Sequence, residues 1–470
     1  MISFVLSIAV LILGYVFYGG FVQKIFSPDN RKTPAHTVGD GVDFVPMKRG
    51  KAFLIQLLNI AGTGPIFGAL MGAVFGPVVF LWIVFGSVLG GAVHDYMTAM
   101  MSERNGGASI AELSGKYVGK KTKGIMRVFS VILLVLVGTV FITSPAALLA
   151  NITQNRISAG FWSAVILIYY LLAALMPIDK IIGRLYPVFG IVLIVMAAAI
   201  IGAIVFKGYH IAEVSLKNMH PQGLEIWPFM FVTVACGAVS GFHATQSPLV
   251  AKCIQNEYEG KSVFYGAMIA EAVIALIWAA AGSAFYKDTA DLNNAISFLG
   301  QSGTVYEISK GLLGGIGGIL AVIGVVVCPV TTGDTAFRGV RIILAEWTKL
   351  DQKKIKNRLL LTVPVLAVAA VLMQTDFDIL WRYFSWSNQT LAAISLWCVT
   401  AYLIKENKKC SFLVSAIPAA FMSAVCVTYI LMAKEGFRLP AAFSYPLGII
   451  AAVLLFLLFV WQSAKTKSRL

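Results

Sequence analysis

Ionisable side chains stand inside stretches of this sequence that are otherwise apolar. His94 and Asp95 are adjacent in GSVLGGAVHDYM, Glu271 lies in GAMIAEAVIALIW, and His243 lies in ACGAVSGFHATQSP. Ionisable groups are costly inside a membrane, and they mark proton or ion pathways there by default. A carboxyl can carry a proton, and a histidine changes its charge near neutral pH. These residues therefore indicate proton transfer through an apolar bundle.

Each of these residues also has a structural alternative. Asp95 lies near the end of its apolar run, so it could pair with a loop arginine such as Arg104. Glu271 is about ten residues inside its run, too deep for its carboxylate to reach water. It either carries a proton or hydrogen-bonds a neighbouring helix. His243 could be a neutral ring that satisfies interrupted backbone.

Glycine and proline interrupt two of the apolar runs. In a helix interior glycine costs about 1 kcal/mol and proline about 3 kcal/mol, and the freed backbone groups find no partner in lipid. Such backbone persists where it lines a cavity and binds a solute, although a glycine-rich stretch can also be a close-packing face. The candidate substrate-binding residues are Gly62, Thr63, Gly64 and Pro65 in the first break, and Gly237, Ser240, Gly241, Phe242, His243 and Gln246 in the second.

Two further polar groups are candidates for ion or solute contacts. Thr331 and Thr332 in CPVTTGDTAFR offer hydroxyl oxygens that suit a hard cation such as Na⁺, but threonines also bond their own backbone. Asp334 and Arg338, spaced i, i+4, are interpreted as an ion pair on one helix. In WRYFSWSNQTLAA, the aromatic residues favour an interfacial belt, and the roles of Asn388 and Gln389 stay open.

Composition places these residues in a polytopic, all-α membrane protein. Of 470 residues, 58% are hydrophobic and 13% are charged, and the mean hydropathy is +0.82. A soluble chain would carry about a quarter charged residues. The formal charge of +15 sits in short loops between apolar runs, which is typical of topology signals and not of nucleic-acid binding.

Thirteen membrane spans are predicted, and the basic residues orient them. If the N-terminus lies outside, the cytoplasmic loops and tail hold 29 of the 37 lysines and arginines, so the C-terminus is cytoplasmic. The first run lacks a basic region before it and is expected to be a retained span, not a signal peptide. The spans, numbered 1 to 13, are 2–23, 52–76, 77–101, 124–149, 159–177, 185–206, 226–252, 262–286, 308–331, 357–374, 379–404, 411–433 and 443–463.

The two breaks lie five spans apart, in spans 2 and 7, which enter the membrane from opposite sides. Spans 2–6 and 7–11 therefore form two five-helix repeats of inverted topology, the arrangement of LeuT-like secondary transporters. The predicted divisions are an extra helix and loop at 1–51, the repeats at 52–206 and 226–404, and two further helices with a cytoplasmic tail at 411–470.

Six blocks together resemble the carbon-starvation protein A (CstA) family: NIAGTGPIFGALMG, GSVLGGAVHDYM, WPFMFVTVACGAVSGFHATQSPLVAKCI, GAMIAEAVIALIW, CPVTTGDTAFR and WRYFSWSNQTLAA. The resemblance implies a plasma-membrane transporter of the amino acid–polyamine–organocation superfamily, concerned with peptide uptake during carbon starvation. Related members are proton-driven pyruvate transporters. Many members are longer than this chain, which bears on whether the substrate is shared.

The expected function is therefore ion-coupled import of a small carboxylate-bearing solute, a peptide or pyruvate. Coupling would use H⁺ through Asp95, Glu271 or His243, or Na⁺ near Thr331 and Thr332. No cofactor or metal is expected, and lipid is the expected surrounding. A channel, a nutrient sensor and an integral-membrane enzyme are the alternatives. The sequence contains neither GxxxxGK[ST] nor HExxH, which disfavours ATP hydrolysis and zinc-peptidase chemistry. It does not give the oligomeric state.

Overall fold

The computed structural model describes residues 1–39, 44–175, 178–352, 354–406 and 409–467, and these residues are mostly helical. Residues 176 and 177 of predicted span 5 and residues 468–470 of the predicted tail lie outside them. The helices are Ile2–Phe26, Arg49–Ile60, Gly64–Ala73, Val79–Arg104, Ile110–Tyr117, Lys120–Ile152, Ala159–Ala173, Ile178–Phe206, Phe231–Thr233, Gly241–Ala251, Glu257–Phe285, Thr289–Val322, Cys328–Thr348, Ile355–Leu372, Phe377–Lys405, Leu413–Met432 and Ala441–Lys467.

Every predicted span coincides with a helix or an interrupted helix. Among the described residues, nine helices are long and apolar enough to cross a bilayer, and the bent pair Arg49–Ile60 and Gly64–Ala73 raises that number to ten. Spans 5, 7 and 11 fall on shorter, interrupted or more polar helices. The count of thirteen and the limits of the repeats stay predictions.

The core of the bundle is formed by spans 3 and 8. The apolar windows of Val79–Arg104 and Glu257–Phe285 are each 83% buried within the protein, whereas those of Ile355–Leu372 and Ala441–Lys465 are 17% and 22% buried. The two central spans carry Asp95 and Glu271, and the peripheral spans present apolar surface suited to lipid.

Both predicted breaks are present. The helix Arg49–Ile60 ends at Ala61, and Gly64–Ala73 resumes after a bend of 51°. In span 7 the helix ends at Thr233 and resumes at Gly241, with Ser240 in an extended conformation between them. The prediction of two broken helices is confirmed.

The two breaks touch each other because glycines leave room for backbone contact. A Cβ atom added at Gly64 would lie 2.5 Å from both Cβ and Sγ of Cys236, and one added at Gly68 would lie 3.1 Å from the carbonyl oxygen of Thr233. Similarly, a Cβ at Gly237 would lie 3.7 Å from the Cα of Pro65. The interrupted segments therefore meet inside the bundle, as the inverted repeat requires.

The segment between spans 8 and 9 differs from the prediction. No span is predicted over residues 287–307, but Thr289–Val322 is helical and bends at Gly300 and Gly314, which have φ values of 68° and 64°. The side chain of Asp288 accepts a hydrogen bond from the backbone N–H of Asp291, so a side-chain cap starts a helix in a stretch that hydropathy alone reads as loop.

Replacing Gly91 tests the packing of span 3 against the second break. A Cβ at Gly91 would lie 2.1 Å from the carbonyl oxygen of Ala238, so Gly91→Leu forces backbone apart. We expect it to lower the free energy of unfolding by about 1–3 kcal/mol, as overpacking does, seen as a lower thermal midpoint in detergent. Gly202 has open space around it, so Gly202→Leu is the matched control. Equal midpoints for the two variants would contradict the contact.

Candidate functional site

Four ionisable side chains form one buried chain beside the second break. Asp95 Oδ1 lies 2.8 Å from Nδ1 of His94, and Asp95 Oδ2 lies 2.8 Å from Nδ1 of His243. Nε2 of His243 lies 3.5 Å from Oε2 of Glu271. All four residues have 0% exposure. We call these four residues the central cluster.

Three different spans position the central cluster. His94 and Asp95 belong to span 3 and follow Gly91, where the missing side chain lets the second break approach. His243 lies in the first turn of Gly241–Ala251, so its place is set by where the helix restarts. Glu271 comes from span 8. The cluster therefore joins both central spans to the broken helix.

The hydrogen bonds and charges of the central cluster determine whether it can bind and release a proton. An ionised Asp95 only accepts hydrogen bonds, so it receives one from the Nδ1 atom of each imidazole ring. Within the described part of the chain, neither oxygen of Glu271 has a hydrogen-bond partner, and neither has Nε2 of His94 or His243. With Asp95 and Glu271 ionised and His243 protonated, the cluster carries one net negative charge, which one additional proton neutralises. The cluster can therefore exchange a proton.

The structural alternative for Asp95 does not occur. Arg104 binds the carboxylate of Glu257 through Nε and Nη2, at 2.9 Å each, and not that of Asp95. The sequence indicated His94 only as the neighbour of Asp95, because sequence alone does not show which groups a histidine ring contacts. Its adjacency to Asp95 was the available signal.

Side chains satisfy much of the backbone that the second break frees. Oδ1 of Asn388 accepts hydrogen bonds from the N–H of Phe242 at 2.7 Å and from the hydroxyl of Ser240 at 3.2 Å. The hydroxyl of Ser87 donates to the carbonyl of Gly237 at 3.1 Å. Nε2 of Gln389 donates to the carbonyl of Phe231 at 3.1 Å. The open role of the two amides thus has a structural component, which polarity alone could not show.

At the first break, Thr332 and Thr331 behave differently. The Oγ1 atom of Thr332 lies 3.2 Å from the carbonyl oxygen of Leu58, one turn before Gly62, and 3.0 Å from that of Cys328. Thr331 turns its hydroxyl to the carbonyl of Cys328 at 2.7 Å. The structure thus brings Thr332, but not the hydroxyl of Thr331, to the first break.

The remaining first-break residues form the contact with span 7. Gly64 and Pro65 pack against Cys236 and Gly237, as described above. The hydroxyl of Thr63 is buried and has no hydrogen-bond partner among the described residues.

Two other predicted groups lie apart from the central cluster. Nε2 of Gln246 lies 3.9 Å from a Cβ built at Gly339 and donates to the hydroxyl of Thr245, so this residue turns toward the helix Cys328–Thr348. Asp334 Oδ2 lies 3.7 Å from Nη2 of Arg338, and both side chains are 3% exposed. Asp334 and Arg338 thus form the predicted i, i+4 ion pair on one helix.

A cavity of about 870 Å³ reaches from the second break to one end of the bundle. Thr233 and Ser385 line it near the break, and His220 lines it in the loop 207–225. Partial burial lowers the pKa of His220, so its ring is neutral at neutral pH. The volume falls within the range of about 300–1,000 Å³ that is usual for small-molecule sites. The charged lining residues are Asp376, Asp378 and Arg382.

The interfacial-belt prediction is wrong for Trp381. This side chain is 3% exposed, lines the cavity, and stacks on Phe377 with ring centroids 6.0 Å apart. Its helical spacing of i, i+4 and i+7 with Ser385 and Asn388 turns it inward. Tyr383, two residues further on, is 43% exposed and does face outward.

The family described as "Carbon starvation protein CstA" matches residues 1–159, 150–309 and 304–429. The chain belongs to the CstA family. An "Uncharacterized membrane protein" of Haemophilus influenzae is 43% identical over 63% of this chain and 94% of its own length. The "Peptide transporter CstA" of Campylobacter jejuni is 29% identical over 58% of this chain, and the "Pyruvate/proton symporter BtsT" of Escherichia coli is 28% identical over 59%. The matches to these two transporters cover 48% of each transporter's length.

Solved transporters share the fold. A manganese transporter of Eremococcus coleocola superposes with a TM-score of 0.54 over 92% of this chain and 95% of its own, at 12% identity. MhsT in complex with L-phenylalanine gives a TM-score of 0.54 over 86% and 97%, at 15% identity. The LeuT-like, all-α fold is confirmed. Family and fold together make the chain a multi-pass membrane transporter, and its transporter relatives confirm that it is not an enzyme.

Removing the Asn388 amide tests how the second break is held. Asn388→Ala leaves the buried N–H of Phe242 without its acceptor, which costs about 1–3 kcal/mol. We expect a corresponding fall in the thermal midpoint of the purified protein. The hydroxyl of Ser395, on the same helix, is buried without a partner in the described residues, so Ser395→Ala is the control. An unchanged midpoint in the Asn388 variant would show that this amide does not hold the break.

Proposed function

We propose that the chain is a proton-coupled importer of small carboxylate-bearing nutrients, either short peptides or pyruvate-like acids. One observation carries the proposal. The carboxylates of Asp95 and Glu271 flank the ring of His243 at the second break, fully buried, and Glu271 has no hydrogen-bond partner among the described residues. The oxygens of a structural carboxylate would be expected to accept hydrogen bonds, whereas a proton carrier must change its protonation state.

The proposed solute path is the cavity beside the breaks. It starts at loop residues such as His220 and ends at Thr233, which is the last helical residue before the second break. In the predicted orientation this end of the bundle is outside the cell. The solute would therefore descend to the meeting point of the two breaks, where the hydroxyl of Thr63 remains unpartnered.

The charges of the central cluster supply the coupling step. With one net negative charge the empty cluster attracts a proton, and its protonated form is neutral overall. Binding the proton therefore changes the electrostatics beside the second break, and a solute carboxylate nearby meets less repulsion. A proton and a carboxylate-bearing solute would thus favour each other's binding, which is the requirement for symport.

The relatives support the same class of activity. The match in Escherichia coli is named a pyruvate/proton symporter, and the match in Campylobacter jejuni is named a peptide transporter. The alignment covers about half of each, so the choice between these solutes is part of the proposal and is decided by assay. A small carboxylate is what peptides and pyruvate share.

Sodium coupling is the second candidate, and Thr332 is the residue that favours it. Its hydroxyl lies beside the carbonyl of Leu58 at the first break, where oxygen ligands could gather around a hard cation. That hydroxyl is already within bonding distance of two carbonyls, whereas the carboxylate of Glu271 has no hydrogen-bond partner in the described residues and only an ion-pair contact of 3.5 Å with His243. Coupling to a proton is therefore favoured over coupling to sodium.

Replacing Glu271 tests the coupling. We reconstitute the protein in liposomes and measure uptake of pyruvate, a dipeptide and a tripeptide under an imposed H⁺ or Na⁺ gradient. A pH difference of about one unit provides about 1.4 kcal/mol per proton, enough for about tenfold accumulation. Glu271→Gln should abolish uphill accumulation while leaving solute exchange between the two sides, because its amide cannot release a proton.

The control for this experiment is Glu225→Gln in the exposed loop 207–225, which should accumulate solute as the wild type does. Accumulation of solute by the wild type under a Na⁺ gradient alone would show that sodium, and not the proton, is the coupling ion. Flux that never exceeds equilibration, with any gradient, would indicate a channel. Full proton-driven accumulation by the Glu271 variant would refute the assigned role.

Replacing Gly241 tests whether the second break is needed for transport. A Cβ there would lie 2.4 Å from the backbone N of Ala392 and 2.4 Å from the carbonyl oxygen of Asn388. Gly241→Leu must therefore push the restarted helix away from span 11 and displace His243. We expect expressed protein without uptake in the same liposome assay. Uptake at the wild-type rate would show that the break is only a packing face.

A further inference from the structure

A second pair of buried carboxyl groups lies at the opposite end of span 3 from the cavity. Glu103, near the end of this helix, is 2% exposed, and Glu257, at the start of span 8, is 0% exposed. Their carboxyl groups lie within hydrogen-bond distance of each other. The Oε2 atom of Glu103 is buried and has no partner among the residues described. The basic residues predict this end to be cytoplasmic.

The neighbouring arginine is committed to Glu257. Arg104 binds both carboxylate oxygens of Glu257, and its Nη2 also donates to the carbonyl of Ser27 at 2.8 Å. The N–H of Asp29 donates to Oε2 of Glu257 at 2.8 Å. Span 3, span 8 and the segment after span 1 are thus tied together at one carboxylate. We call this connection the inner lock.

The charges around Glu103 leave it without a cation of its own in the described residues. Arg31 binds Asp29 through Nε, at 2.9 Å, and through Nη2, and its Nε lies 3.4 Å from Oε1 of Glu257. The titratable and charged groups that face the pair from the surrounding elements are Asp29, Arg31, Tyr96, Arg104 and Tyr402. Two carboxyl groups in hydrogen-bond contact cannot both be ionised at low cost, so they share one proton.

We propose that Glu103 and Glu257 form a second proton-binding site, and that its proton keeps the inner lock closed. The step is the loss of one proton from the carboxyl of Glu103 to cytoplasmic water, leaving two adjacent carboxylates. Their repulsion separates the end of span 3 from the start of span 8 and loosens the segment 27–33. This inference rests on the proposed function, since it supplies the cytoplasmic end of the proton route.

The position of the pair suits that route. Asp95 of the central cluster and Glu103 are eight residues apart on one helix, a rise of about 12 Å. Tyr96 lies between them along the chain, and its buried hydroxyl has no partner within the described residues. A proton leaving the central cluster thus has a second acceptor on the same span.

Cys253 is a built-in reporter for the inner lock. It is buried, its carbonyl accepts the N–H of Met47 at 2.9 Å, and the carbonyl of Ile254 accepts the hydroxyl of Thr33 at 2.7 Å. The segments that contain Thr33 and Met47 therefore cover it when the lock is closed. Cys410 is exposed and serves as the reference thiol in the same molecule.

The test measures labelling of Cys253 relative to Cys410 by a water-soluble maleimide, in the purified full-length protein between about pH 5 and pH 8. We expect the ratio to rise with pH in the wild type. Glu103→Gln keeps a neutral hydrogen-bond donor that cannot ionise, so its ratio should be low and flat. Glu257→Gln removes the partner of Arg104, so its ratio should be high and flat. Glu406→Gln, an exposed change at the same end, should follow the wild type.

Two outcomes would overturn the inference: a flat ratio in the wild type, or a wild-type rise in either lock variant. If one variant cannot be purified, the other still decides. No solute or gradient is used, so the assay stands apart from transport. A labelling ratio that depends on pH, without proton-driven uptake, would support the inner lock and refute the proposed importer. Proton-driven uptake with a labelling ratio that does not change with pH would support the proposed importer and refute the inner lock.

Discussion

The structure depends on one constraint: backbone that leaves its helix inside an apolar bundle must find hydrogen-bond partners within the protein. The second break meets it with side chains from two other spans, since Asn388 accepts the N–H of Phe242 and Ser87 donates to the carbonyl of Gly237. Gly64 and Gly91 let the partners come close enough. The breaks are therefore a junction of several spans, and their geometry is fixed by contacts that lie far apart in sequence.

That junction also places the ionisable groups. Because the helix restarts at Gly241, His243 points at Asp95 of span 3 and faces Glu271 of span 8. At the other end of the same two central spans, Glu103 and Glu257 lie against the segment that follows span 1. Titratable groups of spans 3 and 8 thus lie both beside the second break and at one end of the two spans. The cavity runs from the second break to the opposite end of the bundle. In the proposed cycle the solute reaches the junction through the cavity, and the proton leaves the junction toward Glu103.

The sequence predicted the parts of this arrangement that depend on local chemistry. Hydropathy located the spans, glycine and proline located the two breaks, and buried charge singled out Asp95, His243 and Glu271. Contacts between distant spans were beyond it: nothing in WRYFSWSNQTLAA tells whether Asn388 binds backbone or solute, or that Trp381 turns inward. The helix that Asp288 caps was missed because hydropathy does not register caps. Gln246 is a candidate in the sequence because it belongs to the second break, although helical geometry turns it toward Gly339.

The Asn388 contact has a consequence for the half of the cycle in which nothing is carried. The proposed symporter would have to reset after unloading, and unwound peptide groups that relied on cargo for their hydrogen bonds would make the vacant form unstable. Here an amide from span 11 stands in permanently, so the vacant protein keeps its junction intact on the way back. The proposed cycle then needs no repair of a collapsed binding segment between one load and the next.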